Sequence, residues 1–377
     1  KAKIYLELAA SLNEPESFNE LGNMYEHGYG VEKNYRIAKE YFEKSAKQNN
    51  TNGFIHLGIL YLIGLGVKVD YLKAKEYFEK SASLGNPDGC YYLGYIYLYG
   101  FGVEQDFQKA MEYFENSANQ NDSKSLNQLG FMYLNGFGVK RNFAKAKEYY
   151  IQSVNLGNSE AMYTLGTFYL NGFEVKKDFI KAKEYFEKSA KLNNSKALHG
   201  LGLIYKKGLG VEPNIQKAIE YYELSAKQFN SDALYDLGSF YLSGLGVKQD
   251  YKMAKKYYEL SAQYNNHNAY VYLGLIYLYG YGVEPDLIKA KEYFELSDKN
   301  ENPEVLVYLY IINEQLYSSN YDTLYGLSDQ QKKSMLLFIL DNLSINGYDV
   351  QQDYYNVKKF YDDPSEMKYK KKIILFT

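Results

Sequence analysis

The sequence predicts an all-α solenoid, because one pattern recurs along the chain every 36 residues, about eight times. The leucines of its Leu-Gly dipeptide are Leu21, Leu57, Leu93, Leu129, Leu165, Leu201, Leu237 and Leu273. A tyrosine follows four positions after each leucine, and a Gly-x-Gly-Val turn and an aromatic pair come later in the unit. A fixed period of this length is typical of units that bury their apolar faces against neighbouring copies.

The first half of each unit predicts a helix, which we name helix A. In the first unit Phe18, Leu21, Gly22 and Tyr25 stand at positions i, i+3, i+4 and i+7. This spacing places their side chains on one face of a helix. Each unit therefore begins with an amphipathic helix.

The second half predicts another helix, helix B, after the Gly-x-Gly-Val turn. Ala38, Tyr41, Phe42, Ser45 and Ala46 have helical spacing, and the turn glycines can adopt the positive φ needed after a helix end. An Asp or Asn is expected to cap the start of each helix B. The predicted caps are Asn34, Asp70, Asp106, Asn142, Asp178, Asn214, Asp250 and Asp286.

Small residues predict how the two helices pack. Gly22 and its equivalents would let the alanines of helix B, such as Ala254, approach closely, while tyrosine and phenylalanine rings fill the remaining volume. A single helical hairpin cannot bury so many rings, so stacking of successive hairpins is required.

Length and composition exclude several classes of protein. A chain of 377 residues exceeds what one core usually supports, and 46% apolar with 24% charged residues indicates a folded soluble protein. It has no apolar run of about 18 residues, so no membrane span is predicted. A net charge of -3 and only two arginines, Arg36 and Arg141, argue against nucleic acid as a partner. The single cysteine, Cys90, cannot form an internal disulfide and favours a reducing compartment such as the cytoplasm.

Motifs of catalysis or cofactor binding are missing from the sequence. The Gly-x-Gly elements follow helices rather than strands, which argues against a phosphate-binding loop. The four histidines, with Cys90, have no zinc-ligand spacing, and no Gly-x-Ser-x-Gly elbow occurs. We therefore predict a protein without catalytic activity, cofactor or metal.

The repeated Leu-Gly-x-x-Tyr, Gly-x-Gly-Val, Asp-x-x-Lys-Ala and Tyr-Phe-x-x-Ser-Ala motifs resemble those of the Sel-one-like repeat (SLR) family, a relative of tetratricopeptide repeats. The resemblance covers about residues 1–300 and implies a right-handed superhelical solenoid. It also implies that the chain starts within a repeat, because Ala2, Tyr5 and Ala10 occupy helix B positions. Members of the family act as adaptors in endoplasmic-reticulum-associated degradation, as activators of chitin synthase, and as bacterial proteins that engage host factors.

Two regions depart from the repeat. Glu174 replaces the second turn glycine of the fifth unit, which costs about 1 kcal/mol if that position needs positive φ. Residues 301–377 predict a non-repeat helical cap and a Lys-rich tail, which is either frayed or a strand that pairs with a downstream domain. The predicted cap helices are Pro303–Tyr317, about Ser328–Leu343, and Val350–Tyr361.

Tetratricopeptide domains line a concave groove with helix A, so the resemblance implies that the variable positions of helix A bind a partner. Tyrosine rings beside asparagine side chains suit a protein or an extended peptide, since rings cover apolar side chains and carboxamides bond the backbone. We name this set the helix A surface. It consists of His56, Ile59, Ile63, Tyr91, Tyr95, Tyr99, Asn127, Phe131, Asn135, Tyr163, Thr167, Asn171, His199, Leu203, Lys207, Tyr235, Ser239, Leu275 and Tyr279.

Two other functions remain open at this point. The repeats would serve equally as the regulatory or substrate-recruiting arm of a larger enzyme, such as a kinase or a ubiquitin-pathway protein, whose catalytic domain lies outside this chain. They would also serve as an architectural rod in a larger complex. The start within a repeat is compatible with a longer protein.

Overall fold

The computed structural model describes residues 2–297 and, beyond them, Val305, Tyr308, Leu309, Ile312 and Asn313. Residues 2–297 form seventeen α-helices and no strand, which confirms the predicted all-α repeat fold. Odd-numbered helices are of type B and even-numbered helices are of type A. In chain order they are α1 (Ala2–Ser11), α2 (Pro15–His27), α3 (Tyr35–Ala46), α4 (Thr51–Ile63), α5 (Tyr71–Ser83), α6 (Pro87–Tyr99), α7 (Phe107–Ala118), α8 (Ser123–Asn135), α9 (Phe143–Asn155), α10 (Ser159–Asn171), α11 (Phe179–Lys191), α12 (Ser195–Lys207), α13 (Ile215–Ala226), α14 (Ser231–Ser243), α15 (Tyr251–Gln263), α16 (His267–Tyr279) and α17 (Leu287–Ser297).

The chain divides into two units, Lys1–Ala197 and Leu198–Thr377, which we name unit 1 and unit 2. Within each unit, helix A packs against the helix B that follows it and against the helix B that precedes it. The predicted division into a repeat domain, 1–300, and a C-terminal cap, 301–377, stays a prediction, because most of the second segment lies outside the described residues.

The ends of the helices confirm the predicted turn chemistry. α4 ends at Gly64, which has a left-handed φ of 76° and donates its N–H to the carbonyl of Leu60. Asp70 caps α5, because its side chain accepts the N–H of Lys73 at 3.0 Å. The N–H of Asp70 donates to the carbonyl of Tyr61 at 2.9 Å, which ties the turn to the preceding helix A.

Two bulky residues adopt a left-handed φ that favours glycine or asparagine. Glu174 has a φ of 51°, as expected for the replaced turn glycine. Phe229 has a φ of 58° in the loop after α13, which the sequence did not indicate. A left-handed φ costs such a residue about 1 kcal/mol. The equivalents of Phe229 in the other loops are Asn13, Asn49, Gly85, Asn121, Gly157, Asn193 and Asn265.

The glycine of each Leu-Gly dipeptide lies beneath an aromatic ring. A Cβ atom at Gly130 would stand 3.0 Å from Cδ1 of Tyr150, which is the second ring of the aromatic pair on α9. The prediction that aromatic rings fill the volume beside these glycines is confirmed, and at Gly166 the carbonyl oxygen of the helix B alanine Ala182 also comes within 3.3 Å of the Cβ position. The ring of Tyr150 needs the space above Gly130 because it is itself almost completely buried, with 2% of its surface exposed.

A buried serine near the end of helix B bonds to the start of helix A in the same repeat. Ser117 donates to the carbonyl of Pro87 at 2.8 Å, and Ser153 donates to the carbonyl of Ser123 at 2.6 Å. The serine thereby satisfies its own hydroxyl in the core and fixes the angle between the two helices.

The few described residues after α17 pack onto the last repeat. Val305, Leu309 and Ile312 are helical and buried, and they join a cluster that contains Phe294. The ring of Tyr308 stacks on Phe294 with 4.9 Å between ring centroids. This packing covers the exposed side of α17. The rest of the predicted cap helices and the basic tail lie outside the described residues.

Candidate protein-binding surface

All residues of the helix A surface are at least partly exposed in the structure. They lie on the even-numbered helices from α4 to α16, because the repeat places the same helical face in the same register each time. The second residue after the Leu-Gly leucine is half-buried, as at Tyr95, and the sixth is exposed, as at Tyr99. The helix A surface is thus accessible, while its chemistry differs from repeat to repeat.

Four rings of unit 1 form what we name the aromatic cluster, which consists of Tyr71, Tyr95, Tyr99 and Phe101. The ring centroids of Tyr95 and Tyr99 are 4.6 Å apart, and those of Tyr99 and Phe101 are 5.7 Å apart. Phe101 also stacks on Tyr71, at 5.3 Å. Tyr99 keeps 46% of its surface exposed although it touches two other rings. The cluster therefore presents a rigid aromatic surface to solvent.

The next repeat continues this aromatic surface. Phe131 lies 5.6 Å from Phe137, which stacks on Phe107 at 5.1 Å. Asn135 donates its carboxamide N–H to the carbonyl of Phe131 at 2.8 Å. The Asn135 carboxamide, which was predicted to bond a peptide backbone, thus uses one N–H within its own helix. It retains its carbonyl oxygen and the other N–H.

Sequence reasoning missed the turn residues of this surface. Phe101 and Phe137 are the middle residues of Gly-x-Gly turns, and each stacks on the first residue of the helix B one repeat earlier. The signal was a pair of aromatic residues 30 positions apart, which recurs at Phe143 with Phe173 and at Tyr251 with Tyr281.

Some predicted residues serve the packing between repeats more than the surface. The ring of His56 stacks on Phe42 at 4.5 Å, and its Nδ1 lies 3.3 Å from the Glu26 carboxylate. Tyr92 stacks on Phe78 at 4.7 Å in the same way. Burial raises the pKa of the neighbouring Tyr91 to about 12, so its phenol stays neutral.

Unit 2 carries a different arrangement, the charged cluster, which consists of His199, Lys206 and Asp236. Asp236 accepts from Lys206 Nζ at 2.8 Å and lies 2.9 Å from Nε2 of His199. Burial acts to raise the pKa of Asp236, but the hydrogen bonds from His199 and Lys206 outweigh it and hold the pKa below its usual value. The carboxylate is therefore ionised and compensated at neutral pH.

Only His199 of this cluster belonged to the predicted surface. Lys206 stands where leucine occupies the other repeats from the second to the eighth, for example Leu98 and Leu134. This departure from the repeat, together with the acid at Asp236, was the signal that could have identified the cluster.

Three tyrosines on α14, α15 and α16 pack together, and one of them, Tyr235, is the neighbour of Asp236 in the sequence. Tyr235 and Tyr272 meet edge to face with 5.5 Å between centroids, and Tyr258 stacks on Tyr272 at 5.0 Å. The Tyr258 hydroxyl pairs with Ser239 at 3.0 Å. Burial raises the pKa of both Tyr235 and Tyr258 far above the usual value. The predicted surface residues Tyr235 and Ser239 are thus bound into the packing of unit 2.

Other predicted residues also bond within their own helix. Thr167 donates to the carbonyls of Tyr163 and Thr164, at 2.8 and 2.9 Å. Leu203 and Leu275 are half-buried, whereas Ile63 and Tyr279 are exposed by 56% and 40%.

Two features of the described residues bear on the class of site. No helix there is long and apolar enough to cross a membrane. Nor does that part of the chain bring three or more His, Cys, Asp or Glu side chains into a group that could hold a metal ion. Burial raises the pKa of the Cys90 thiol, which disfavours the reactive thiolate.

Comparison with known proteins identifies the repeat. A family model for the Sel1 repeat matches residues 16–50, 55–86, 87–122, 123–158, 159–194, 195–228, 231–265 and 267–297. Among solved structures, a Sel1 repeat protein from Oxalobacter formigenes is 30% identical, and the match covers 67% of this chain and 100% of that chain with a TM-score of 0.58. A protective antigen of uropathogenic Escherichia coli, c5321, displays an SLR fold and is 28% identical over 95% of this chain and 81% of that chain, with a TM-score of 0.43. No curated protein matches the chain.

Proposed function

Because the chain belongs to the Sel1 repeat family, whose repeats generally mediate protein–protein interactions, we propose that it is a non-catalytic scaffold that binds an extended segment of a protein partner on its helix A surface. The observation that carries this proposal is the aromatic cluster of unit 1. Tyr99 stays exposed there, beside rings that already support one another.

Rings held in this way favour binding for a thermodynamic reason. Tyr95, Tyr99 and Phe101 contact one another in the free protein, so they lose little conformational freedom when a partner docks. Tyrosine also offers an apolar ring with a polar hydroxyl, which makes it a frequent anchor residue at interfaces.

The repeat favours an extended segment over a compact ligand. Equivalent positions such as Tyr95 and Phe131 lie on successive helices of type A, so the surface is a row of similar sites. An extended chain advances about 3.3 Å per residue and could follow such a row from one repeat to the next.

Peptide selection followed by affinity measurement tests this proposal. Peptides chosen from a random library displayed on phage, with the whole chain as bait, should bind the wild type and lose at least tenfold in affinity for the double variant Tyr95→Ala with Phe131→Ala. Both rings are half-buried side chains of the surface, so their loss removes anchor contacts worth about 1–2 kcal/mol each.

Exposed apolar residues of helix B provide the matched control. Ile151 and Ile180 are exposed by 39% and 63% in the same unit, and Ile151→Ala with Ile180→Ala should leave peptide affinity unchanged. Equal affinity for the wild type and the Tyr95→Ala, Phe131→Ala variant would reject the helix A surface as the binding site.

A further inference from the structure

Every repeat contains a stacked pair of tyrosines. The tyrosine of the Leu-Gly-x-x-Tyr motif lies parallel to the first ring of the aromatic pair on its own helix B, with centroids 5.5 to 5.8 Å apart. The pairs are Tyr25–Tyr41, Tyr61–Tyr77, Tyr97–Tyr113, Tyr133–Tyr149, Tyr169–Tyr185, Tyr205–Tyr221, Tyr241–Tyr257 and Tyr277–Tyr293. These positions are not part of the helix A surface.

In seven of the eight pairs a lysine of the chain lies over the first ring. The nearest ammonium is 4.4 to 5.3 Å from the ring centroid, within the range of a cation–π interaction. The lysines concerned are Lys3, Lys73, Lys109, Lys145, Lys181, Lys217 and Lys289. The position over the ring is thus built to hold an ammonium group.

These lysines come from two places in the repeat. One is the lysine of the Asp-x-x-Lys-Ala motif in the same repeat, such as Lys73 over Tyr61. The other follows the helix B alanine of the preceding repeat, such as Lys39, which also lies over Tyr61 and pairs with Glu43 at 3.2 Å. Ring and carboxylate together surround the ammonium.

Tyr241 is the exception, because both lysine positions are apolar there. Met253 replaces the lysine of its own repeat and Ile219 replaces that of the preceding repeat. The carboxylate remains, because Glu223 stands at the position of Glu43, which pairs with the helix B lysine Lys39 in the first repeat. Across residues 2–297, no lysine or arginine makes a cation–π contact with Tyr241.

A cavity of about 690 Å³ borders the ring of Tyr241. Asp250, Lys248 and Lys252 are among the residues that line it, and the Asp250 carboxylate also caps α15 by accepting the N–H groups of Lys252 and Met253. The charge of Asp250 in the lining and that of Glu223, which stands in the register of Glu43, offset the charges of the two lysines.

We infer that Tyr241, with Glu223 and Asp250, forms a binding slot for a lysine side chain of a protein partner. A lysine that entered this slot would occupy the place that the chain fills with its own lysines in the other repeats. The inference is independent of the helix A surface, since the slot lies on Tyr241 and involves none of its residues.

Titration of the whole chain with short peptides tests the slot. The probe is acetyl-Gly-Gly-Lys-Gly-Gly-amide, and the readout is the NMR signal of the Tyr241 ring, assigned with Tyr241→Phe. We expect a saturable shift of that signal. The peptides that carry norleucine or Nε-acetyl-lysine instead of lysine should bind about fivefold more weakly, because they lack the ammonium charge.

Two variants test the slot, one by filling it and the other by creating a second slot. Met253→Lys restores the chain's own ammonium, so it should abolish the Tyr241 shift and raise the melting temperature. Lys145→Met should create a second responsive ring at Tyr133, because Met111 already occupies the lysine position that the preceding repeat would supply over that ring.

Several results would overturn the inference. They are an unmoved Tyr241 signal in the wild type, equal responses to lysine and norleucine, or a response that survives in Met253→Lys. The variant Tyr95→Ala with Phe131→Ala should respond to the lysine peptide as the wild type does, so failure of the slot and failure of the helix A surface are distinguishable.

Discussion

The two units have a common core and different surfaces. In unit 1, Gly130 lies beneath the buried ring of Tyr150, and in unit 2 Gly238 lies beneath that of Tyr258 in the same way. The aromatic cluster of unit 1 exposes its rings, whereas the charged cluster of unit 2 holds its ion pairs half-buried. The comparison teaches that stacking fixes the core positions and leaves the remaining helix A positions free to differ.

The two clusters differ in whether their interactions are already made within the protein. The aromatic cluster gains little from its own exposed rings and keeps its apolar area available for a partner. The charged cluster uses its hydrogen bonds internally, because Asp236 already accepts from Lys206 and contacts His199. The aromatic cluster is therefore suited to recognition, while the charged cluster contributes to stability.

Overpacking the common core gives the largest expected effect. Gly130→Leu in unit 1 and Gly238→Leu in unit 2 should each lower the free energy of unfolding by about 3 kcal/mol, because the added side chain meets a buried ring. Urea unfolding followed by circular dichroism measures the loss. Asn135→Leu, at an exposed position, is the control. An unchanged midpoint for either glycine variant would contradict a shared core.

Removing the charge of the buried carboxylate should distinguish the units. Asp236→Asn should cost about 2 kcal/mol at neutral pH, the value of hydrogen bonds to a charged group. Because the pKa of Asp236 is lowered in the folded state, this stability is present above the unfolded pKa of about 3.9 and is lost as the pH falls through the folded pKa. The variant and the wild type should therefore converge in acid.

The control for this prediction lies in unit 1. Asp88 pairs with Lys124, but both side chains are more exposed, by 34% and 42%. Asp88→Asn should accordingly cost less than about 0.5 kcal/mol at neutral pH. A similar cost for Asp88→Asn and Asp236→Asn would show that the charged cluster has no special role.

The smallest effect concerns the loop that differs between the units. Phe229→Asn should raise the free energy of unfolding by about 0.5–1 kcal/mol, because asparagine tolerates the left-handed φ, although the stack of Phe229 on Tyr264 is lost. The reciprocal change, Asn193→Phe, should lower it by a similar amount. Thermal melts of both variants check the sign, and a destabilised Phe229→Asn would show that the ring stack outweighs the backbone strain.

Much of the fold followed from the sequence because its contacts are local. Tyr61, Gly64 and Asp70 of one turn bond within ten residues of each other, so the repeat motif alone specified the caps. Which ring of the aromatic pair lies above the glycine did not follow, because the motif places both rings next to each other on helix B. Packing of the two helices decided that contact.

The candidate surface was foreseen in part. Tyr95, Tyr99 and Phe131 were predicted from their register and are accessible, whereas His56 belongs to the packing between repeats. The turn residue Phe101 was missed, since its partner Tyr71 lies in the preceding repeat. The helical pattern predicts which residues are exposed, but it does not predict which residue of the adjacent repeat each of them contacts.

The sequence by itself determined the helices, their order and the register in which they repeat, because each is set by spacing within 36 residues. Only the tertiary structure decided which variable side chains meet, as His199 and Asp236 do across 37 positions. The physical reason is that a contact between repeats depends on the distance between two helix faces and on the shapes that fill it. Neither quantity is written in the period of the motif.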